Sequence, residues 1–452
     1  MTGPADATDS PPVPDPGHRR EILRLAVPAF LALVAEPLFL LADSAIIGHL
    51  GTTSLAGLGV ASAVLLTAVN IFVFLAYGTT SVVARRLGAG DLRSALASGI
   101  DGIWLALLLG VVTTVLTALL AGPIVGLFGA SGAATAEAET YLRISAYGIP
   151  PMLVVLAATG VLRGLQDTRT PLVVAVVGFT ANAVLSLALV HGVGLGIAGA
   201  AWGTVLAQTG MALALGLVVL RGARLHQAPL SFHPGGVLTA ALGGIPLLVR
   251  TLALRAALVA TTWVAADLGD PQLAAFQVSM TVWSSLAFAL DALAIAGQAI
   301  TGKALGASDV AGARAATATM VRWGGWFGLV LTLLLVALHR LVPLGFSSDP
   351  EVRTALAAAL LVVALGQPVA GVAFVLDGVL IGAGDATWLA AAQVVCLVGY
   401  LPMLAAVHLS GVGGTTGLVW LWVAFTGFMA LRAAGLSWRA HGDAWLVTGA
   451  TR

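Results

Sequence analysis

Residues 38–51 read LFLLADSAIIGHLG, and one carboxylate, Asp43, sits inside this otherwise apolar run. An ionised carboxylate in a nonpolar medium is costly, so its meaning depends on what surrounds it. The composition of the chain supplies the answer. Of its 452 residues, 59% are hydrophobic and 9% are charged, with a mean hydropathy of +1.01. Soluble domains carry about 25% charged residues to face water. This chain has too few to cover itself that way and reads as a polytopic membrane protein.

Several other classes are excluded early. A formal net charge of +1 offers no basic face for nucleic acid. The single cysteine, Cys396, lies in an apolar run; it excludes an internal disulfide or a cysteine metal cluster and reads as a small packing residue. Residues 1–19, rich in Pro, Asp and Thr, read as a disordered cytoplasmic tail. They lack the basic start and apolar core of a signal peptide. No HExxH, GxSxG or P-loop pattern occurs, so neither an enzyme nor an ATP-driven pump is expected, and no cofactor.

Apolar runs of about 20 residues, the length that crosses a bilayer core, fall near residues 24–48, 55–83, 97–121, 141–163, 171–190, 198–220, 243–266, 273–301, 320–341, 355–381, 388–409 and 416–435. Their continuity predicts about twelve transmembrane helices rather than the alternating strands of a barrel. Sixteen of the 21 Lys and Arg residues fall at one end of these runs, among them Arg85, Arg86, Arg93, Lys303, Arg432 and Arg439. Arg143, Arg340 and Arg353 fall at the other end, and Arg250 and Arg255 lie within the seventh run. By the positive-inside rule the crowded end is cytoplasmic. A multi-pass protein of the inner (plasma) membrane is predicted, with both termini in the cytoplasm.

Sliding the chain along itself by 218 residues aligns Pro28 with Pro246, Leu87-Gly88-Ala89 with Leu305-Gly306-Ala307, Asp91 with Asp309, and Pro150 with Pro368. Further on, GVLRG at 160–164 meets GVLIG at 378–382, and Asp167 meets Asp385. Matches of proline and aspartate at one unbroken offset mark an internal duplication. Six spans per half is an even number, so both halves enter the membrane in the same orientation. Two parallel six-helix lobes are therefore predicted, related by a pseudo-two-fold axis along the membrane normal. They comprise an N-lobe over 20–220, a cytoplasmic linker over 221–242 and a C-lobe over 243–437, with a cytoplasmic tail over 438–452. Lobes arranged in this way can rock about a central cleft, as in transporters.

Most of the 20 acids lie in the tail, in loops or at span ends. Glu36 and Asp43 in the first span, Asp291 in the eighth and Asp377 in the tenth do not. A carboxylate at mid-membrane costs roughly 2.5–3.5 kcal/mol on insertion scales, and intramembrane acids are as a rule partnered and functional. In such a medium a carboxylate can take and release a proton near neutral pH, the property an ion-coupled carrier needs. The alternative for each acid is structural pairing with a neighbouring helix. At the 218-residue offset Asp43 faces Thr261, Asp291 faces Val73 and Asp377 faces Thr159, so the halves differ where the acids stand. Arg250 is close enough to the cytoplasmic end of its span to snorkel. Arg255 lies deeper and is expected to pair with Asp291 or another acid, or to receive an anionic substrate.

Several long stretches then carry a resemblance: LADSAIIGHLG (41–51), SVVARRLGAGD (81–91), GVLRGLQDTRTP (160–171), NAVLSLALVHGVGLGIAGAAWGTVLAQ (182–208), ALDALAIAGQAITGKALGASD (289–309) and FVLDGVLIGAGDAT (374–387). In this order they resemble MATE (multidrug and toxic compound extrusion) exporters of the DinF branch, over nearly all of residues 20–437. The resemblance implies an all-α fold of twelve helices in two lobes about a V-shaped central cleft. It also implies secondary antiport, with inward proton or sodium flow driving efflux.

In related exporters a cation site of the first lobe uses an Asp of the first helix, an Asn and a second Asp of the fifth, and a Thr of the sixth. Asp43, Asn182 and Thr204 match these, and Ser186 stands where the second Asp is expected. A hard cation is held by several oxygens, some of them charged, so one carboxylate makes a thin sodium site. This favours protons, with sodium at Asp43, Asn182 and Thr204 as the alternative. Pro28 matches the proline that bends the family's first helix, and proline removes a backbone hydrogen bond. Asp291 and Asp377 resemble acids of the DinF branch whose C-lobe cleft contributes to coupling or substrate contact, and Arg255 joins them as a candidate.

The expectation is an integral membrane antiporter that exports lipophilic or cationic small molecules and works as a monomer in the lipid bilayer. Export of organic anions such as citrate is the alternative, favoured by Arg255 and a Gly-rich cleft. A lipid flippase is a further alternative, against which the chain lacks the extra spans and cleft cations of flippase relatives.

Overall fold

A backbone in hydrocarbon has no water to satisfy its polar groups, so long apolar segments coil on themselves. The computed structural model describes residues 16–48, 52–128 and 132–451, and the first fifteen residues of the expected tail lie outside them. Helix accounts for 88% of the structure, with no strand among the described residues.

The helices of the first half are α1 (Pro16–Gly48), α2 (Thr52–Phe72), α3 (Phe74–Gly88), α4 (Leu92–Gly126), α5 (Gly132–Ser145), α6 (Ile149–Gly164), α7 (Arg169–Leu187) and α8 (Gly196–Leu225). Those of the second half are α9 (Pro234–Ala266), α10 (Asp270–Gly306), α11 (Val310–Leu338), α12 (Val342–Phe346), α13 (Pro350–Gly382), α14 (Ala386–Leu409) and α15 (Gly414–His441). Eleven spans long and apolar enough to cross a membrane occur among the described residues. They follow the second to twelfth predicted runs in order, with α2–α3 and α5–α6 each forming one span. The first run falls in α1, a 33-residue helix.

Some boundaries differ from the expectation. Helix begins at Pro16, inside the expected tail, and α9 begins at Pro234, inside the expected linker. The connection between halves is thus only residues 226–233. It is tied down by Trp104 of α4, whose Nε1 donates to Leu230 O at 3.2 Å and whose ring meets Phe232 edge-on. The hydropathy of residues 234–242 is diluted by Pro and Gly, which hid this first part of α9.

The 218-residue offset recurs in three dimensions. Added to the bounds of α1 it returns those of α9; added to the start of α2 and the end of α3 it returns those of α10. The capping aspartates also repeat: Asp91 Oδ1 accepts from Ser94 N at 2.9 Å, and Asp309 Oδ1 from Gly312 N at 2.7 Å. So do packing contacts. Thr114 Oγ1 donates to Ala146 O at 2.7 Å, and its counterpart Thr332 Oγ1 donates to Ala364 O at 2.6 Å. Gly110 lies against Pro150 as Gly328 lies against Pro368. Where no side chain intervenes the helices approach backbone to backbone, and dispersion and weak polar contacts hold them without a hydrophobic driving force.

The closest such approach joins the two halves. A Cβ on Gly88 of α3 would overlap the carbonyl of Lys303 on α10, and a Cβ on Gly306 of α10 would overlap the carbonyl of Arg85 on α3. Each contact is the other shifted by 218, so the pseudo-two-fold axis passes through this crossing. Polar bonds gather at the same end. Ser81 Oγ donates to Gly382 O at 3.2 Å, Arg85 Nη1 to Ala383 O at 3.0 Å, and Gln166 Nε2 to Ala299 O at 3.2 Å. The segment after α15 seals it: Trp445 is buried, Gly449 N donates to Leu305 O, and Arg85 Nη2 donates to Val447 O at 2.7 Å.

Placing a methyl group at this crossing is overpacking, which costs about 1–3 kcal/mol. Gly306→Ala is therefore expected to lower the thermal unfolding midpoint of the purified protein. Gly325→Ala, where a Cβ meets nothing within 4 Å, is expected to leave it unchanged.

Candidate functional site

The sequence candidates fall at three places in the bundle. The first lies between α7 and α8. Asn182 and Ser186 stand one turn apart on α7, and Thr204 faces them from α8. Ser186 Oγ donates to Asn182 Oδ1 at 2.8 Å, Asn182 Nδ2 donates to Thr204 Oγ1 at 3.2 Å, and Thr204 Oγ1 donates to Ala200 O at 3.1 Å. Asn182 and Ser186 are buried and Thr204 is half-buried. Gly203 permits the approach, because a Cβ there would meet Ser186 Oγ and backbone. Helix α1, which carries Asp43, packs against α7. Pro28 is buried on that helix; the side chains of Asp43 and Glu36 lie outside the described residues.

The second place is the seam between the halves. Tyr77 of α3 donates from its hydroxyl to Asp291 Oδ2 of α10 at 3.5 Å. Arg163, at the end of α6, stands within electrostatic reach of the same carboxylate. Two turns further along α10, in the direction of the glycine crossing, Gln298 Nε2 donates to Tyr77 O at 2.5 Å.

The third place is wholly within the second half. Arg250 Nε of α9 donates to Asp377 Oδ1 of α13 at 3.0 Å, and Arg250 Nη2 donates to Oδ2. Arg432 Nη2 of α15 reaches the same Oδ2 at 3.4 Å. Arg250, Asp377 and Arg432 are 7%, 6% and 4% exposed. The two-pronged guanidinium–carboxylate geometry is the strong form of this pair, and in a water-poor interior it outweighs any gain from reaching the surface.

This arrangement corrects the snorkelling expected of Arg250 and the acid pairing expected of Arg255. Arg250 does not snorkel; its helix begins at Pro234, which sets it deep in the bundle and opposite Asp377. Arg255 pairs with no acid among the described residues and is exposed. Five residues on from Arg250, it points about 140° away around the helix. Arg432, counted among the end charges, is instead buried within α15. Tyr77 and Arg163 were not singled out by sequence at all. The available signal for Arg432 was its place in the apolar stretch FMALRAAGL (428–436); Tyr77 offered none beyond being a hydroxyl in an apolar run.

The architecture and sequence have known counterparts. The model of the MatE family matches residues 28–188 and 246–431. The chain is similar to Protein DETOXIFICATION 44, chloroplastic, of Arabidopsis thaliana, with 32% identity covering 94% of this chain and 83% of the relative. It is similar to the DNA damage-inducible protein F of Escherichia coli (strain K12), with 30% identity covering 93% and 92%. Among solved structures, the Vibrio cholerae MATE transporter VcmN in its bent form superposes with a TM-score of 0.85 at 20% identity, covering 95% of this chain and 97% of that one. A MOP superfamily transporter from Pyrococcus furiosus superposes with a TM-score of 0.84 at 22% identity, covering 94% and 96%.

Removing one partner from a buried ion pair leaves an uncompensated charge and costs about 3–5 kcal/mol, whereas replacing the whole group by apolar residues is nearly neutral. Asp377→Asn is expected to reduce sharply the monodisperse yield of protein on size-exclusion chromatography. Combining Asp377→Leu with Arg250→Met and Arg432→Met is expected to recover most of it.

Proposed function

The chain belongs to the MatE family and is an efflux transporter of the DinF branch, and we propose that it works as a proton-coupled antiporter that expels lipophilic or cationic compounds across the inner membrane, acting as a monomer. The moving bodies in this reading are residues 20–220 and 243–437. The observation that carries it is the closed hydrogen-bond chain Ser186–Asn182–Thr204. Its oxygens are engaged with one another, and a serine stands where a second carboxylate would strengthen a sodium site. Sodium takes several converging oxygens, whereas a proton needs one carboxylate and a route to water.

The repeat supports grouping Asp43 with this chain. Position 43 corresponds to Thr261 and position 182 to Tyr400, and Thr261 Oγ1 lies 2.7 Å from the Tyr400 hydroxyl. In the second half that place is filled by aromatic packing around Tyr400, Trp422 and Phe425. The polar version belongs to the first half alone, where a coupling acid would need it.

With the end bearing Arg85 and Lys303 taken as cytoplasmic, the clasped crossing describes a state closed to the cytoplasm. Protonation of Asp43 from outside then bends α1 near Pro28, narrows the cleft and expels substrate. Proton release toward the cytoplasm resets the cycle. Asp291, held by Tyr77 across the seam, lies where such movement is felt by both halves, and Asp377 holds the helices of the second half together as one body.

A second reading, export of organic anions, is favoured by one observation. Around the second and third clusters three arginines, Arg163, Arg250 and Arg432, stand against two carboxylates, Asp291 and Asp377. Competition of efflux by citrate rather than by hydrophobic cations would select it.

The test is transport by purified protein in proteoliposomes. An imposed pH gradient is expected to drive efflux of a fluorescent cation, a sodium gradient at equal pH is not, and Asp43→Asn is expected to lower the pH-driven rate at least about tenfold, as for loss of an essential proton-transfer group. Full pH-driven efflux by Asp43→Asn would refute the coupling role.

A further inference from the structure

The buried charges of the second half do not balance. Helices α14 and α15 carry no acid, and α13 carries only Glu351, in its first turn, and Asp377. Asp385, at the residue preceding α14, is taken by Arg439 at 2.7 Å. Asp377 therefore faces both Arg250 and Arg432, leaving one excess positive charge among the described residues. Asp291 reaches Arg250 electrostatically from α10 but is itself matched by Arg163. An uncompensated charge out of water is among the costliest arrangements a fold can hold.

A small cavity adjoins the unbalanced side of the cluster. It lies between α13, α14 and α15, lined by Asp377, Gln393, Cys396, Arg432, Gly435 and Leu436 among others, and has room for an occupant about the size of a water molecule. Two donors border it with bonding capacity to spare. Gln393 is 5% exposed, and its Nε2 has no hydrogen-bond partner among the described residues. Arg432 has five N–H groups, yet beside its stacking over the Phe428 ring its side-chain hydrogen bonds are two long ones, to Asp377 Oδ2 at 3.4 Å and to Met429 Sδ at 3.5 Å. The one carboxylate at the cavity, Asp377, is already shared by two arginines, so spare donors beside an excess positive charge call for an anion, not a cation.

We infer that the second half binds one small monovalent anion at this cavity, held by the Arg432 guanidinium and the Gln393 amide, with the lining side chains shifting to admit it. The anion neutralises the arginine that Asp377 leaves unmatched, and satisfies an amide that is otherwise orphaned. It locks α14 and α15 onto α13, so its first effect is on the stability of that half. The site does not depend on the exporter reading, because it is detected by binding and not by transport.

The experiment uses the purified full-length protein in nanodiscs with radiolabelled chloride at constant sodium and ionic strength, gluconate replacing chloride. Saturable binding of one ion per chain is expected, displaced by bromide and not by gluconate. A rise in thermal unfolding midpoint should follow the same concentration dependence, since a ligand of the folded state stabilises it by mass action. Gln393→Leu is expected to weaken binding about tenfold or more, as for a lost hydrogen bond to a charged group, and Arg432→Met to abolish it. Arg255→Gln is expected to bind as the parent does. Absence of saturable chloride binding by the parent protein would overturn the proposal. So would binding unaffected by Gln393→Leu, or binding lost equally in Arg255→Gln.

Discussion

Two backbone carbonyls, those of Arg85 and Lys303, lie against two glycines, Gly306 and Gly88, and the rest of the molecule is organised about this reciprocal contact. In a membrane, helices are not driven together by the hydrophobic effect, so a joint between two bodies must be made by close backbone approach and by interhelical hydrogen bonds. Both are concentrated here. The side-chain hydrogen bonds between halves run from Tyr77 to Arg85 on one side and from Asp291 to Lys303 on the other, together with Glu21, Gln166, and the backbone of 382–383 and 447–451. Among the described residues none is formed at the opposite end. A joint confined to one end, lying on the axis of the repeat, is where the proposed cycle places its hinge, closing a cleft at one mouth and leaving it open at the other.

Against this symmetric frame the buried polar groups are asymmetric. Asn182, Ser186 and Thr204 form a hydrogen-bonded chain in the first half, while their counterparts Tyr400, Leu404 and Trp422 are packed core. Arg250, Asp377 and Arg432 form a charged cluster in the second half, while their counterparts Ala32, Thr159 and Ala214 are small and uncharged. Duplication supplied two equal bundles, and the chemistry was then divided between them. One half keeps a hydrogen-bonded chain of neutral polar groups; the other keeps an ion cluster that fixes its helices.

The gross architecture was legible in the sequence because it rests on strong one-dimensional signals. Span length, the loop arginines and the proline and aspartate matches at 218 residues are all properties of the chain, independent of which helices touch. The grouping of Asn182, Ser186 and Thr204 was reachable through a family resemblance, and the one-turn spacing of Asn182 and Ser186 made it physically sensible. The ion cluster was not legible. Arg250, Asp377 and Arg432 are separated by 127 and 55 positions, and nothing local distinguishes Arg250, which is buried, from Arg255, which is not. Only the direction each residue takes around α9, set by how that helix packs on α14, tells them apart. Hydropathy likewise hid the first part of α9, since Pro and Gly lower it without ending the helix.

In the proposed cycle the halves move as bodies about the glycine crossing in response to protonation. Arg93 and Ala311 are exposed, equivalent under the repeat, and lie on opposite halves beside that crossing. Spin labels at these two positions, in protein reconstituted into liposomes, report their separation by double electron–electron resonance. The account predicts a short and a long distance whose proportions change between alkaline and acidic pH, and a loss of that change in Asp43→Asn. A single distance, the same at both pH values and in both proteins, would contradict it.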